Sequence, residues 1–200
     1  MKHAAKKADS RKEKPAQMKT KNPKIAAKDS TGDPAKKSAS KDMRPSWDEY
    51  FMAIVEVIGT RGTCDRGRAG CVIVRDKRIL ATGYVGAPAG LPHCDEVGHE
   101  MHKVTHGDGS ETMHCIRTTH AEQNAIAHAA RTGVKLDGGT LYCKMTPCYT
   151  CAKIILNAGI QRIVVQKDYH ASKESKVIFK MAKVPLTILT KETETYSNMK

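Results

Sequence analysis

Aromatic side chains are scarce in this chain: one Trp, two Phe and six Tyr among 200 residues. They do not interleave with the basic residues, so the sequence offers no stacking platform for single-stranded nucleic acid. Long apolar runs are missing too, and none approaches the roughly 20 residues a membrane-spanning helix needs. The N-terminal stretch lacks an apolar h-region, which argues against a secretory signal. It is Lys-rich and keeps its acidic residues, unlike an Arg-rich, acid-poor transit peptide. The seven cysteines are Cys64, Cys71, Cys94, Cys115, Cys143, Cys148 and Cys151. An odd count without a secretory signal argues against a disulfide framework and for thiolate metal ligands. A cytoplasmic location is expected, and no internal repeat is present.

Acidic residues are outnumbered, 21 against 34, for a formal net charge of +13. That excess is uneven. Residues 1–43 hold thirteen basic and five acidic residues, leaving 21 basic and 16 acidic for the rest. Beyond alanine, proline and the initial methionine, the only apolar residues of 1–43 are Met18, Ile25 and Met43. Such a segment cannot bury enough surface to offset the entropy of ordering it. We read 1–43 as a disordered basic tail whose contacts with nucleic acid are weak phosphate contacts. A single domain is expected over 44–190, followed by a short C-terminal tail, 191–200.

The domain opens with Ser46-Trp47-Asp48-Glu49, a capping box. Phe51, Ile54, Val55 and Ile58 follow at helical spacing, which predicts a helix over 47–59. The β-branched run at 71–74 and the segment 78–84 flank Asp76-Lys77 and read as an antiparallel hairpin. Residues 85–117 contain two prolines, five histidines and two cysteines and show no clear period, so a long loop is expected. Regular elements then resume: helices over 120–132 (with Thr118 or Thr119 as cap), 148–158 and 173–182, and strands over 140–143, 162–165 and 186–189. The order predicts an α/β fold with a mixed five-stranded sheet and helices on both faces.

Two helix starts carry the chemistry. One is His120-Ala121-Glu122 and the other is Pro147-Cys148-Tyr149-Thr150-Cys151. Cys148 and Cys151 are spaced so that both sulfurs face one point at a first helical turn. The helix N-terminus favours their thiolate forms. One imidazole and two thiolates leave a tetrahedral zinc one open position for water, the mark of a catalytic site. Glu122 stands where a carboxylate sits beside that water without ligating the metal. The pattern H-x-E…P-C-x-x-C is that of zinc deaminases, and it assigns His120, Cys148 and Cys151 to the metal and Glu122 to proton transfer at a cytosine ring.

The likeness extends further. Trp47-Asp48-Glu49-Tyr50-Phe51-Met52, Gly83-Tyr84-Val85-Gly86-Ala87-Pro88, Leu91-Pro92-His93-Cys94-Asp95-Glu96 and the run from Cys115 to Ile126 resemble deoxycytidylate deaminases of the bacterial competence-operon-like and phage type. The resemblance covers about residues 44–190. It implies the three-layer α-β-α cytidine-deaminase-like fold and zinc-dependent hydrolysis of dCMP to dUMP and ammonia, which feeds thymidylate synthesis. It also implies a homo-oligomer, a hexamer in many members, with dCTP and dTTP as effectors. Gly83, Tyr84 and Gly86 would belong to a substrate or effector loop. There Val85 replaces the family's usual asparagine, and valine has no side-chain donor or acceptor.

Some members hold a second, structural zinc. Here Cys64 and Cys94 match its cysteines and His99 stands at the usual third. The expected set is Cys64, Cys94, His99 and His114, with His102 and Cys115 as alternates; a closed four-ligand site would clamp the loop. By residue type, Arg66, Arg68, Arg117 and Lys144 are the candidates for holding a phosphate. The competing reading is a polynucleotide deaminase, acting on tRNA or single-stranded DNA and tethered by the basic tail. The long Cys/His insert argues for the nucleotide enzymes.

Overall fold

A computed structural model describes residues 43–105, 109 and 111–194. The disordered-tail reading of residues 1–42 and the last six residues of the C-terminal tail lie outside these. Helix α1 (Trp47–Gly59) starts as its capping box requires. The Ser46 amide donates to Glu49 Oε2 at 2.7 Å, and the Glu49 amide donates to Ser46 Oγ at 3.3 Å. Strands β1 (Gly70–Arg75) and β2 (Arg78–Tyr84) form the expected hairpin, with Asp76 and Lys77 both at positive φ in a two-residue turn.

After the insert come helix α3 (Ala121–Thr132), strand β5 (Thr140–Met145), helix α4 (Tyr149–Asn157), strand β6 (Arg162–Tyr169), helix α5 (Lys173–Met181) and strand β7 (Leu186–Ile188). The five-strand path runs β2-β1-β5-β6-β7. Its first two pairings are antiparallel and its last two parallel, so the sheet is mixed as expected. It also gains a sixth strand, β8 (Thr193–Glu194), which pairs in parallel with Asp168 and Tyr169. The folded unit therefore extends into the segment expected to be a tail.

Period-2 alternation divides the core between the two faces. Val72, Val74, Tyr142 and Val164 pack against Phe51, Met52 and Val55 of α1. Cys71, Ile73, Leu141, Cys143, Ile163 and Val165 face the other way, toward α3, α4 and α5. This is the three-layer α-β-α arrangement. One contact in the outer layer is unusually close. A Cβ on Gly83 of β2 would lie 2.3 Å from the Ala121 carbonyl oxygen and 2.4 Å from the Ala125 amide nitrogen. Helix α3 therefore rests directly on strand backbone.

The insert corrects the long-loop expectation. It contains a one-turn helix, α2 (Cys94–Val97), and an antiparallel hairpin of β3 (Met101–Thr105) and β4 (Glu111–Cys115). Among the described residues, no helix or strand outside the hairpin forms an extensive face with it. No described helix is long and apolar enough to cross a membrane.

Candidate metal and active site

The two helix starts meet. Each begins where a strand or bridge delivers the chain to the same end of the sheet. His120 follows the Gly86–Thr119 bridge and is itself the N-cap of α3, displacing Thr118 and Thr119 from that expected role. Its amide donates to Gln123 Oε1 at 3.1 Å. Cys148 follows β5 and is the N-cap of α4. His120 Nδ1 lies 3.5 Å from Cys148 Sγ and 3.3 Å from Cys151 Sγ. Zinc bonds of about 2.3 Å to sulfur and 2.0–2.1 Å to nitrogen, at tetrahedral angles, set N–S edges of about 3.5 Å. The donor set and its spacing therefore fit zinc with three protein ligands.

The electrostatics agree with such a cradle. The hydrogen bond from Cys151 and the neighbouring His120 hold the Cys148 thiol well down, at about 4. Hydrogen bonding to Cys148 raises His120 to about 9. Cys151, the thiol that donates to Cys148, is pushed up. Imidazolium and thiolate thus form a pair whose remaining protons leave when a cation takes their place. Glu122, on the first turn of α3, is only 7 % exposed. Burial raises its carboxyl above the usual range, against the pull of His120. A carboxyl raised in this way holds a proton more readily than an ordinary one, as a group that accepts and returns protons must.

A network centred on Asp168 holds the thiol loop. Its Oδ1 accepts from Thr146 Oγ1 at 2.8 Å, from the Tyr169 amide at 2.9 Å and from Ser172 Oγ at 2.9 Å, and Lys176 Nζ bonds Oδ2. Thr146 precedes Pro147-Cys148, and its amide also donates to the Lys167 carbonyl at 3.1 Å. The network ties the approach to α4 to the start of α5. The polar residues of β6 that supply it gave no strand signal in the sequence.

His120, Glu122 and Cys148 line an open cleft of about 800 Å³. Of the expected nucleotide loop, only Val85 faces it. Gly83, Tyr84 and Gly86 do not line the cleft. Gly83 seats α3, the Tyr84 carbonyl accepts from Asn124 Nδ2 at 2.8 Å, and Gly86 bridges Thr119. They seat helix α3, which His120 caps.

A second cluster forms where the insert meets the body, but with one member changed. Cys64, Cys94, His99 and Cys115 place their donor atoms within 4.8 Å of one another. Cys94 and Cys115 sulfurs are 3.6 Å apart, and Cys64 Sγ is 3.8 Å from His99 Nδ1. His99 Nε2 is anchored on Asp65 Oδ1 at 2.9 Å, the partner a ligating imidazole needs on its far nitrogen. His114 is not in the set. Successive residues of β4 point to opposite faces, so turning Cys115 into the cluster turns His114 away. His114 instead contacts Thr112 Oγ1 at 2.8 Å and lines the cleft, while His102 pairs opposite it across the hairpin. Three thiols and an imidazole make a closed four-ligand set, suited to a structural zinc.

Comparisons with known proteins agree with this geometry. Deoxycytidylate deaminase of Saccharomyces cerevisiae is 41 % identical over 140 residues, 70 % of this chain and 44 % of that protein. ComE operon protein 2 of Bacillus subtilis is 40 % identical over 141 residues, 70 % of each chain. This chain thus matches less than half the length of the yeast relative. Among solved structures, the dCMP deaminase of cyanophage S-TIM5 in complex with dCMP and dUMP superposes with a TM-score of 0.58 at 27 % identity. That match covers 76 % of this chain and 99 % of the phage chain. The profile of the cytidine and deoxycytidylate deaminase zinc-binding region matches residues 45–167, and the chain belongs to that family.

Proposed function

We propose that this chain is a hydrolytic deaminase that converts dCMP to dUMP and ammonia. The observation that carries the reading is the convergence of His120, Cys148 and Cys151 beside a buried Glu122 in one cleft. The yeast relative is named for the same substrate, and the phage dCMP deaminase is seen in complex with dCMP and dUMP. Bound zinc supplies the Lewis acidity that makes water a nucleophile near neutral pH. The chain's own residues do the rest. His120, Cys148 and Cys151 would hold the metal. Glu122 accepts one proton from water and passes it to ring N3, then takes the remaining proton from the hydroxyl added at C4 and passes it to the amino group, which leaves as ammonia while the C4 oxygen becomes the product carbonyl. Val85, Ala69 and Gly70 give the cleft an apolar wall.

Seven cysteines without a disulfide, six of them with a sulfur within hydrogen-bond distance of another group, suit a reducing compartment, which we take to be the cytoplasm. We infer a structural role for a second zinc at Cys64, Cys94, His99 and Cys115, which would join the insert to the body.

Glu122→Gln and Glu122→Ala test the mechanism. Both variants should retain zinc and their melting profile while kcat on dCMP falls by about 10²–10⁴-fold. Near-normal turnover would remove Glu122 from its role. Ammonia release from dCMP, CMP, deoxycytidine, dCTP and a tRNA anticodon stem-loop tests the substrate; preference for the stem-loop would overturn the nucleotide reading.

A further inference from the structure

The second cluster forms part of the cleft wall. Cys64 and Cys115 line the cleft together with Met113 and His114. Cys64 and Cys94 are buried, whereas Cys115 is half-buried and presents its sulfur to a small molecule in the cleft. The Cys94 sulfur lies 3.6 Å from it. A disulfide needs about 2 Å, so a shift of about 1.5 Å joins the pair.

Ligand charge sets this cluster apart from the His120 site. With zinc bound, the thiolates of Cys64, Cys94 and Cys115 outweigh the dication by one charge, whereas those of Cys148 and Cys151 balance it. Surplus negative charge leaves sulfur richer in electrons and readier to attack an electrophile.

A peroxide is the small oxidant that such a pair can use. The Cys115 thiolate attacks one oxygen of hydrogen peroxide; the S–O bond forms, the O–O bond breaks, and the leaving hydroxide takes a solvent proton to become water. The Cys94 thiolate then attacks the Cys115 sulfur; the S–S bond forms, the S–O bond breaks, and the second hydroxide also leaves as water. The two sulfurs together lose two electrons, and the peroxide gains them. In a reducing compartment a disulfide of this kind is transient, and thiols reverse it.

The bond would change what holds the insert. Cys94 and Cys115 both belong to the insert, and Cys64 belongs to the segment after α1. Joining the first two closes the insert on itself and leaves only Cys64 and His99 as ligands. The links from the insert to the segment after α1 crowd around the same place. The Asp95 amide donates to the Thr63 carbonyl at 3.3 Å, His99 Nε2 meets Asp65 at 2.9 Å, and Arg66 Nη2 donates to the Met113 carbonyl at 3.2 Å. Loss of the cluster therefore loosens the wall that Met113 and His114 supply.

We propose that Cys94 and Cys115 are a peroxide-sensitive thiol pair, whose oxidation to a disulfide releases the second zinc and frees the β3-β4 wall of the cleft. This rests on the second-zinc reading above. The test treats the zinc-loaded full chain with a few equivalents of hydrogen peroxide. Released zinc is read with a colorimetric chelator, the disulfide by peptide mapping without reduction, and dCMP kinetics before and after. A single zinc per chain should leave, the peptides bearing Cys94 and Cys115 should be joined, and kcat/KM for dCMP should fall by about 10–100-fold, the scale of a wall displaced by about 1 Å. A thiol reductant with added zinc should restore all three. Cys94→Asp keeps a zinc-ligating group but cannot form the bond, and it should hold its zinc at the same dose. Should that variant fail to fold, the wild-type peptide map decides. A Cys148–Cys151 bond formed first, zinc kept at full occupancy, or unchanged kinetics after the Cys94–Cys115 bond forms would each overturn the proposal. A chain inert toward dCMP before treatment would sink the deaminase reading, while the peptide map and zinc release would still decide the thiol pair.

Discussion

At the scale of single residues, neighbours in sequence have different tasks. Both His114 and Cys115 line the cleft, but only Cys115 joins the second cluster. Zinc counting separates them. Purified wild type should carry two zinc ions per chain, Cys115→Ser close to one, and His114→Ala still two, measured by atomic emission after dialysis. Two ions retained by Cys115→Ser would place the ligand elsewhere. The residues of the first site were legible because helix starts fix where side chains at short spacings must point. The fourth member of the second cluster was not, because the choice between two adjacent residues of a strand depends on a register that only the pairing of β3 with β4 sets.

At the scale of elements, apolar periodicity disclosed what the core holds. Helices α1, α3 and α4 and strands β1, β5 and β6 all carry it. The insert hairpin escaped because its strands are largely exposed and rest on a cluster of side chains, so they need no alternation. Strand β6 was read too short because its second half serves the Asp168 network. Polar bonds also clamp α1 to the sheet. Arg162 grips Asp48 through two bonds, 2.8 and 2.6 Å, and Tyr142 donates to the same carboxylate at 2.9 Å. The Arg162 bond holds the Asp48 carboxyl below its usual range, against the effect of burial. Because the folded-state value is depressed, this stabilisation is complete above the unfolded value near 4 and fades as pH falls through the lower folded one. Asp48→Asn should therefore destabilise by about 1–2 kcal/mol at pH 7, discounted for partial exposure. The gap from wild type should close in acid, as read by urea titration at several pH values.

At the scale of the whole molecule, the charge excess and the chemistry occupy different parts of the chain. Every described residue lining the cleft lies between Cys64 and Tyr169, whereas the densest positive charge lies in residues 1–43. A chain that starts at Met43 should keep its kcat/KM for dCMP, since it retains every described residue that lines the cleft. A large loss in steady-state assays would make the N-terminal segment part of the site. A net charge of +13 points toward nucleic acid, and the concentration of that charge in residues 1–43 weakens that reading. The seat of α3 on Gly83 has a practical consequence for anyone engineering this protein. Replacing glycine with alanine is a common route to a hardier protein, because it restricts the unfolded chain. Here the added methyl would act as a wedge beneath the helix that His120 caps, so attempts at thermal hardening belong on the opposite side of the sheet.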